Sequence, residues 1–297
     1  CRWVSENYEV REDFIGLYVC EKTDAESLVR IIKDIVSRCG LEMQDIRGQT
    51  YDGASVLQGQ VSGVARRIKD ECPKALSIHC LNHCLNLVLQ ESSSKCLTMS
   101  NALSVVQQIH NIISASPKRL ATFEKIRSSM SSDQRLSLKP VCPTRWINRG
   151  KSVEAVLTNY ECIIETLNEI LTSHGISEAT KQAPGIISLM EKFDTLIGLK
   201  ICYRMCSIVE EFARVLQSKD ITAETVTSTL SLLKDHLSKM RDPAVFKSIY
   251  NDAMETGKNI VNPPPLPKRM RKLPQRYDGG GSEGYNWTNP EVFFRAE

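Results

Sequence analysis

The stretch IRGQTYDGASVLQGQVSGVARRIKDECPKALSIHCLNHCLNLVL, residues 46–89, decides the fold. Its opening, residues 46–51, reads as a β-strand that Asp52 and Gly53 bring to an end. A helix is expected over residues 54–70, where Val56, Val61, Val64 and Ile68 recur at helical spacing and Pro73 follows. Residues 75–79, ALSIH, read as another short strand, and a dense Cys/His cluster comes straight after it. Strand, turn, helix, strand is the grammar of an α/β sheet, whose chemistry sits at the carboxyl ends of its strands. Asp52 stands at such an end.

Upstream, residues 1–4 and 13–20 read as two strands, the second (DFIGLYVC) rich in aromatic and β-branched residues. Thr23 or Asp24 can cap a helix that carries Leu28, Ile31, Ile32, Ile35 and Val36 and stops at Gly40. Downstream of Cys80 the strand signals cease. Leu81, Leu85, Val88 and Leu89 mark one helix, and Leu103, Val106, Ile109, Ile112 and Ile113 mark another. Further helices are expected over residues 118–130 (opened by Pro117), 153–171, 186–217 and 223–240. From Asn262 the sequence NPPPLPKRMRKLPQRYDGGGSEG mixes prolines, a basic run and glycines, a composition that buries little. The expected fold class is thus α/β plus all-α: a mixed sheet over residues 1–79, which the resemblance given below implies is incomplete, a helical array over 80–260, and a linker over 261–297.

Bulk composition excludes several classes. Hydrophobic residues make up 41% and charged residues 25% of the 297, ordinary values for a folded protein. A net charge of +3 is too small to argue nucleic-acid binding, so any basic surface must be local. Eleven scattered cysteines, an odd number, fit reduced thiols better than a disulfide framework. No apolar run reaches the roughly 20 residues that span a bilayer, so no membrane partner is expected. P-loop, GxGxxG and GxSxG motifs are absent from the sequence. The chain opens on Cys1 and is expected to be part of a longer protein.

Four groups of residues carry candidate chemistry. Asp52 is either a carboxylate for a Mg²⁺-dependent nuclease site or the acid of an Asp-Gly turn that caps the next helix. Cys72, His79, Cys80, His83 and Cys84 form the second group; Cys80 and His83 are three apart, and His79 and His83 four apart. On one helix such pairs share a face and could ligate zinc. A closed structural site wants four ligands, so the competing reading is packing at the junction of sheet and helices. No zinc is expected. Arg145 and Trp146, in PVCPTRWINR, suit a phosphate contact beside a stacking platform, or else a buried loop anchor. Lys268, Arg269, Arg271 and Lys272 form a basic run that reads as a nuclear-localisation signal, a phosphate-binding arm or a solvated linker.

The motifs REDFIGLY, TDAESL, RGQTYDGASVLQGQVSGV, HCLNHCLNLV, SPKR and PTRWINR occur in an order that resembles the hAT-superfamily transposases. The resemblance covers most of residues 1–240 and extends to cellular relatives of the zinc finger MYM-type and repressor-of-the-inhibitor-of-the-protein-kinase kinds. It implies an RNase-H-like core interrupted by a helical insertion. It aligns Asp52 with the second acid of the catalytic triad, Cys80 and His83 with the CxxH motif, and Arg145 and Trp146 with the RW motif. The tryptophan of that motif is implied to stabilise a flipped base. The first catalytic aspartate and the catalytic glutamate have no counterpart in the chain, nor does the usual N-terminal zinc-finger module. The central strand that would stand between those at residues 1–4 and 46–51 is likewise missing.

The expectation is therefore a transposase-derived, non-catalytic, nuclear module that binds nucleic acid or protein without a cofactor. Mg²⁺ or Mn²⁺ is expected only in a complete enzyme, and self-association through a C-terminal region outside the chain. Two alternatives stand beside it: part of an active hAT transposase, and a zinc-dependent interaction module on Cys80 and His83.

Overall fold

A computed structural model describes residues 1–130, 136–141, 149–173, 178–218, 221–264 and 289–296. Among them helix dominates. The chain divides into two compact units, Cys1–Val88 with Ala213–Thr229, and Leu89–Phe212 with Leu230–Glu297.

Among the described residues the strands lie in the first unit. β1 (Arg2–Val4) and β2 (Val10–Glu12) form an antiparallel hairpin, while β3 (Gly48–Tyr51) and β4 (Leu76–His79) form a separate parallel pair. Among the described residues the two pairs are not joined into one sheet. The strand expected over residues 13–20 does not form; β2 ends at Glu12, and residues 14–20 make no backbone hydrogen bond to a described residue.

α1 (Ala25–Arg38) is fixed by the Asp24 carboxylate, which accepts from the Ser27 N–H at 2.9 Å and the Ser27 hydroxyl at 3.0 Å. Those bonds hold the Asp24 carboxyl below its ordinary value. The helix expected over residues 54–70 is two helices, α2 (Ser55–Gln58) and α3 (Val64–Glu71). The break lies at Gly59 and Gly63, where a Cβ on Gly63 would stand 2.5 Å from the Gly59 nitrogen. Only two glycines permit so close a turn. Val64, Ile68, Cys72 and Ala75 pack with Val29 into the core under one face of β3 and β4, joined by Ile46, Tyr51 and Leu57. The opposite face leaves Leu76 and Ile78 exposed.

The second unit is helical. α5 (Leu97–Ser114) packs against α6 (Pro117–Ser129), α7 (Arg149–Thr158) and α9 (Glu178–Met190), and α8 (Tyr160–Ser173) packs against α6 and α9. The single helix expected over residues 153–171 is divided at Asn159, whose side chain turns back to the Ala155 carbonyl (2.7 Å) and the Leu136 carbonyl (3.2 Å). The helix expected over residues 186–217 is likewise α9 and then α10 (Phe193–Leu216), with the Thr195 hydroxyl donating to the Leu189 carbonyl at 2.6 Å across the joint. α4 (Leu81–Lys95) and α11 (Ala223–Met240) lie where helices were expected.

Two helices were not foreseen. α12 (Pro243–Gly257) starts with Asp242 as cap and Pro243 in first position, a legible start signal. α13 (Pro290–Ala296) lies in the stretch read as linker; there Phe294 is buried, 5.6 Å from the Phe193 ring, which itself meets Tyr250 edge-on.

Gly198 on α10 marks a close approach to α5. A Cβ there would fall 2.6 Å from the Thr98 carbonyl and 2.9 Å from the Ala102 methyl on α5. Gly198→Ala should therefore force α5 and α10 apart and cost about 1–3 kcal/mol in urea unfolding. The core thiols predict a pH effect. Burial pushes Cys162 and Cys206 from 9.0 to about 11 and Cys202 well above 9.0. The unfolded chain releases these protons first, so their contribution is complete below about pH 9 and is lost as pH rises towards 11. The urea midpoint should fall across that window, and less steeply in a Cys162→Ala, Cys206→Ala double variant.

Candidate functional site at the strand ends

β3 and β4 finish level. Gly48 stands opposite Leu76 and Tyr51 opposite His79, and the Cys80 N–H then donates to the Tyr51 carbonyl at 2.9 Å. The Asp52–Gly53 turn thus leaves β3 beside the point where α4 leaves β4. This is the carboxyl end of a parallel pair, where α/β folds place ligands.

Asp52 is exposed, and its Oδ1 accepts from the Ala54 N–H at 3.2 Å. That bond closes an Asx turn and starts the path into α2. The carboxylate keeps its other lone pairs toward solvent. The turn thus uses one carboxylate oxygen of Asp52, at the exposed end of β3.

Gly53 is hemmed in by two imidazoles. A Cβ there would stand 2.9 Å from His83 Nε2 and 3.2 Å from His79 Nε2. The two rings lie 5.6 Å apart, tilted by 37°. His79 Nε2 is buried with no hydrogen-bond partner, as is Asn82 Oδ1 in the first turn of α4. Tyr51, half-buried beside them, has its phenol raised above the ordinary value by that burial. The chemistry on hand is one solvent-facing carboxylate backed by two imidazoles. Among the described residues, no three His, Cys, Asp or Glu side chains are placed to hold a metal ion.

The cluster differs from its sequence reading in two ways. His79 ends β4, so the His79–His83 contact spans a strand–helix junction and is no i, i+4 pair of one helix. Cys72 is elsewhere: fully buried in the core, its thiol donates to the Ile46 carbonyl at 3.4 Å. Cys80 and His83 are half-buried at the start of α4, with the Cys84 N–H closing the first helical bond onto the Cys80 carbonyl at 3.0 Å. Arg145 and Trp146 lie outside the described residues, as do Lys268, Arg269, Arg271 and Lys272.

One structural residue was overlooked. Gln49, 8% exposed, faces the core from β3 and donates to the Ala65 carbonyl at 3.1 Å, pinning the strand to α3. Its alternation with Tyr51 along the strand was the available signal.

Gly53→Ala is expected to displace His83, cost about 1–2 kcal/mol and couple to His83→Ala. A double-mutant cycle on urea midpoints should show part of the loss recovered in the double variant. Purely additive effects would mean that the imidazole does not press on the turn.

Comparison with known proteins finds two partial similarities. Residues 1–63 match a family model, DUF4371, described as the ZMYM1/FAM200 RNase-like domain. The human protein named 52 kDa repressor of the inhibitor of the protein kinase is 25% identical over 283 residues, covering 92% of the chain. Its mouse counterpart is 23% identical over 284 residues, again covering 92% of the chain. The chain spans 37% of the length of each of these relatives. No solved structure matches. The chain is thus similar at its start to an RNase-like domain and over nearly its whole length to part of these two repressors.

Proposed function

We propose that the chain is a transposase-derived module of hAT descent, non-catalytic, that binds nucleic acid or protein in the nucleus. The observation that supports this reading is the engagement of the Asp52 carboxylate in the local turn, where its Oδ1 accepts from the Ala54 N–H. The motif order and the similarity to proteins named as repressors support a regulatory role. In this reading residues 1–79 are the partial RNase-H-like core, 80–260 the helical insertion and 261–297 largely a basic linker. Arg145 and Trp146 contact DNA, and Lys268, Arg269, Arg271 and Lys272 direct nuclear entry. Cys80 and His83 pack the junction at the start of α4 and hold no zinc.

A second reading has one observation in its favour. Asp52 sits at the carboxyl end of a parallel strand, as the second acid of an active hAT transposase would. Labelled duplex DNA incubated with the purified chain and Mg²⁺ or Mn²⁺ separates the two. No cleavage is expected; cleavage that disappears in Asp52→Ala would establish the second reading. DNA binding, followed by fluorescence anisotropy, should weaken on replacing Arg145 and lose part of its salt dependence. Unchanged binding would remove the arginine from the interface. Metal analysis of chain purified without chelator should find no stoichiometric zinc.

A further inference from the structure

Helices α7, α10 and α12 wall an open recess of about 1010 Å³ in the helical unit. Leu157 of α7 and Val245 and Ile249 of α12 give it an apolar lining. Two polar pairs cross between its walls. Lys200 Nζ lies 2.9 Å from Asp252 Oδ2, linking α10 to α12, and the Tyr203 hydroxyl donates to Glu154 Oε1 at 3.1 Å, linking α10 to α7. Both acidic side chains of the recess are thereby engaged. Three of its donors are not: the Arg204 guanidinium and the hydroxyls of Thr158 and Ser248 have no side-chain hydrogen bond or ion pair among the described residues. Leu157 and Thr158 also line an adjoining recess of about 270 Å³, which runs on to Met130 and Ile260.

We propose that the joined recess binds a small aliphatic carboxylate, its head group on Arg204 and its chain along Leu157, Val245 and Ile249. The unengaged groups select this class. All three are donors and one is a fixed cation, so together they call for the acceptor oxygens of an anion. The apolar side chains suit a hydrocarbon chain, whose removal from water adds to the affinity. Small-molecule pockets have this make-up, a mostly apolar lining with a few placed polar groups, and volumes of about 300–1,000 Å³. A nucleic-acid backbone suits the recess less well, because it needs several free cations. Among the described residues that line it, Arg204 is the one cation without an acidic partner. Asp52 and the strand-bearing unit take no part, so this site is independent of the nucleic-acid reading.

Isothermal titration calorimetry on the full chain tests this with three probes. They are octanoate, octanol (the same chain without the charge) and acetate (the charge without the chain). Octanoate alone is expected to bind saturably, with a Kd of about 1 mM or tighter. Arg204→Ala should weaken octanoate binding about tenfold, and Arg204→Lys should recover part of the loss. Arg204 is exposed, so neither change should move the urea midpoint, which is measured alongside. Octanol binding as tightly as octanoate would overturn the proposal, and so would octanoate binding unchanged in Arg204→Ala. No saturable binding of octanoate up to about 10 mM would overturn it too. So would a concentration-dependent dimer in ultracentrifugation whose formation abolishes octanoate binding, since a second copy would then be the occupant.

Discussion

The parallel pairing of β3 with β4 is the constraint on which the first unit depends. Four residue pairs, from Gly48 opposite Leu76 to Tyr51 opposite His79, bring together positions 28 apart in sequence. Ending the two strands level puts the Asp52–Gly53 turn against the start of α4. One register step either way would exchange the buried Gln49 for its exposed neighbours and carry His79 away from Gly53. The core of Val29, Val64, Ile68, Cys72 and Ala75 enforces that register, because it covers only the face that Gln49 and Tyr51 present.

That face is closed and much of the rest of the small sheet is open. Parallel sheets are ordinarily buried on both faces. Here the outer face shows Leu76 and Ile78 to solvent. Unit 1 is therefore held by one apolar layer and a short ladder, whereas the helical unit buries long, continuous seams such as Val105, Ile109 and Ile113 along α5. Local opening should begin in the strand-bearing unit, whose backbone bonds are the more exposed.

Glycine and asparagine positions show why the helix expectations were too long. Periodic apolar residues report a buried face, but they do not report where the axis turns. Residues 153–171 keep their period through Asn159, yet the helix is interrupted there, where the carboxamide donates to two carbonyls. Gly59 and Gly63 were visible as glycines, but the sub-van-der-Waals approach that requires them exists only once the turn is built. The strand expected at residues 13–20 failed for the complementary reason. Its composition is right, but a strand is made by its neighbour, and no described residue pairs with it.

Sequence alone determined the local elements of this protein: the capped helix after Asp24, the strand ending at Asp52, the strand ending at His79 and the succession of amphipathic helices. These follow from capping, propensity and periodicity, which act within a few residues. The joining of His79 and His83 over Gly53 was decided by tertiary structure. So was the separation of Cys72 from the cysteines and histidines it seemed to accompany, and the dual use of Asp52 as turn acid and strand-end carboxylate. Those depend on which strands pair and in what register, and on which side of β3 the core forms. Such choices are settled by the burial of residues far apart in the chain, and no spacing within a single segment records them.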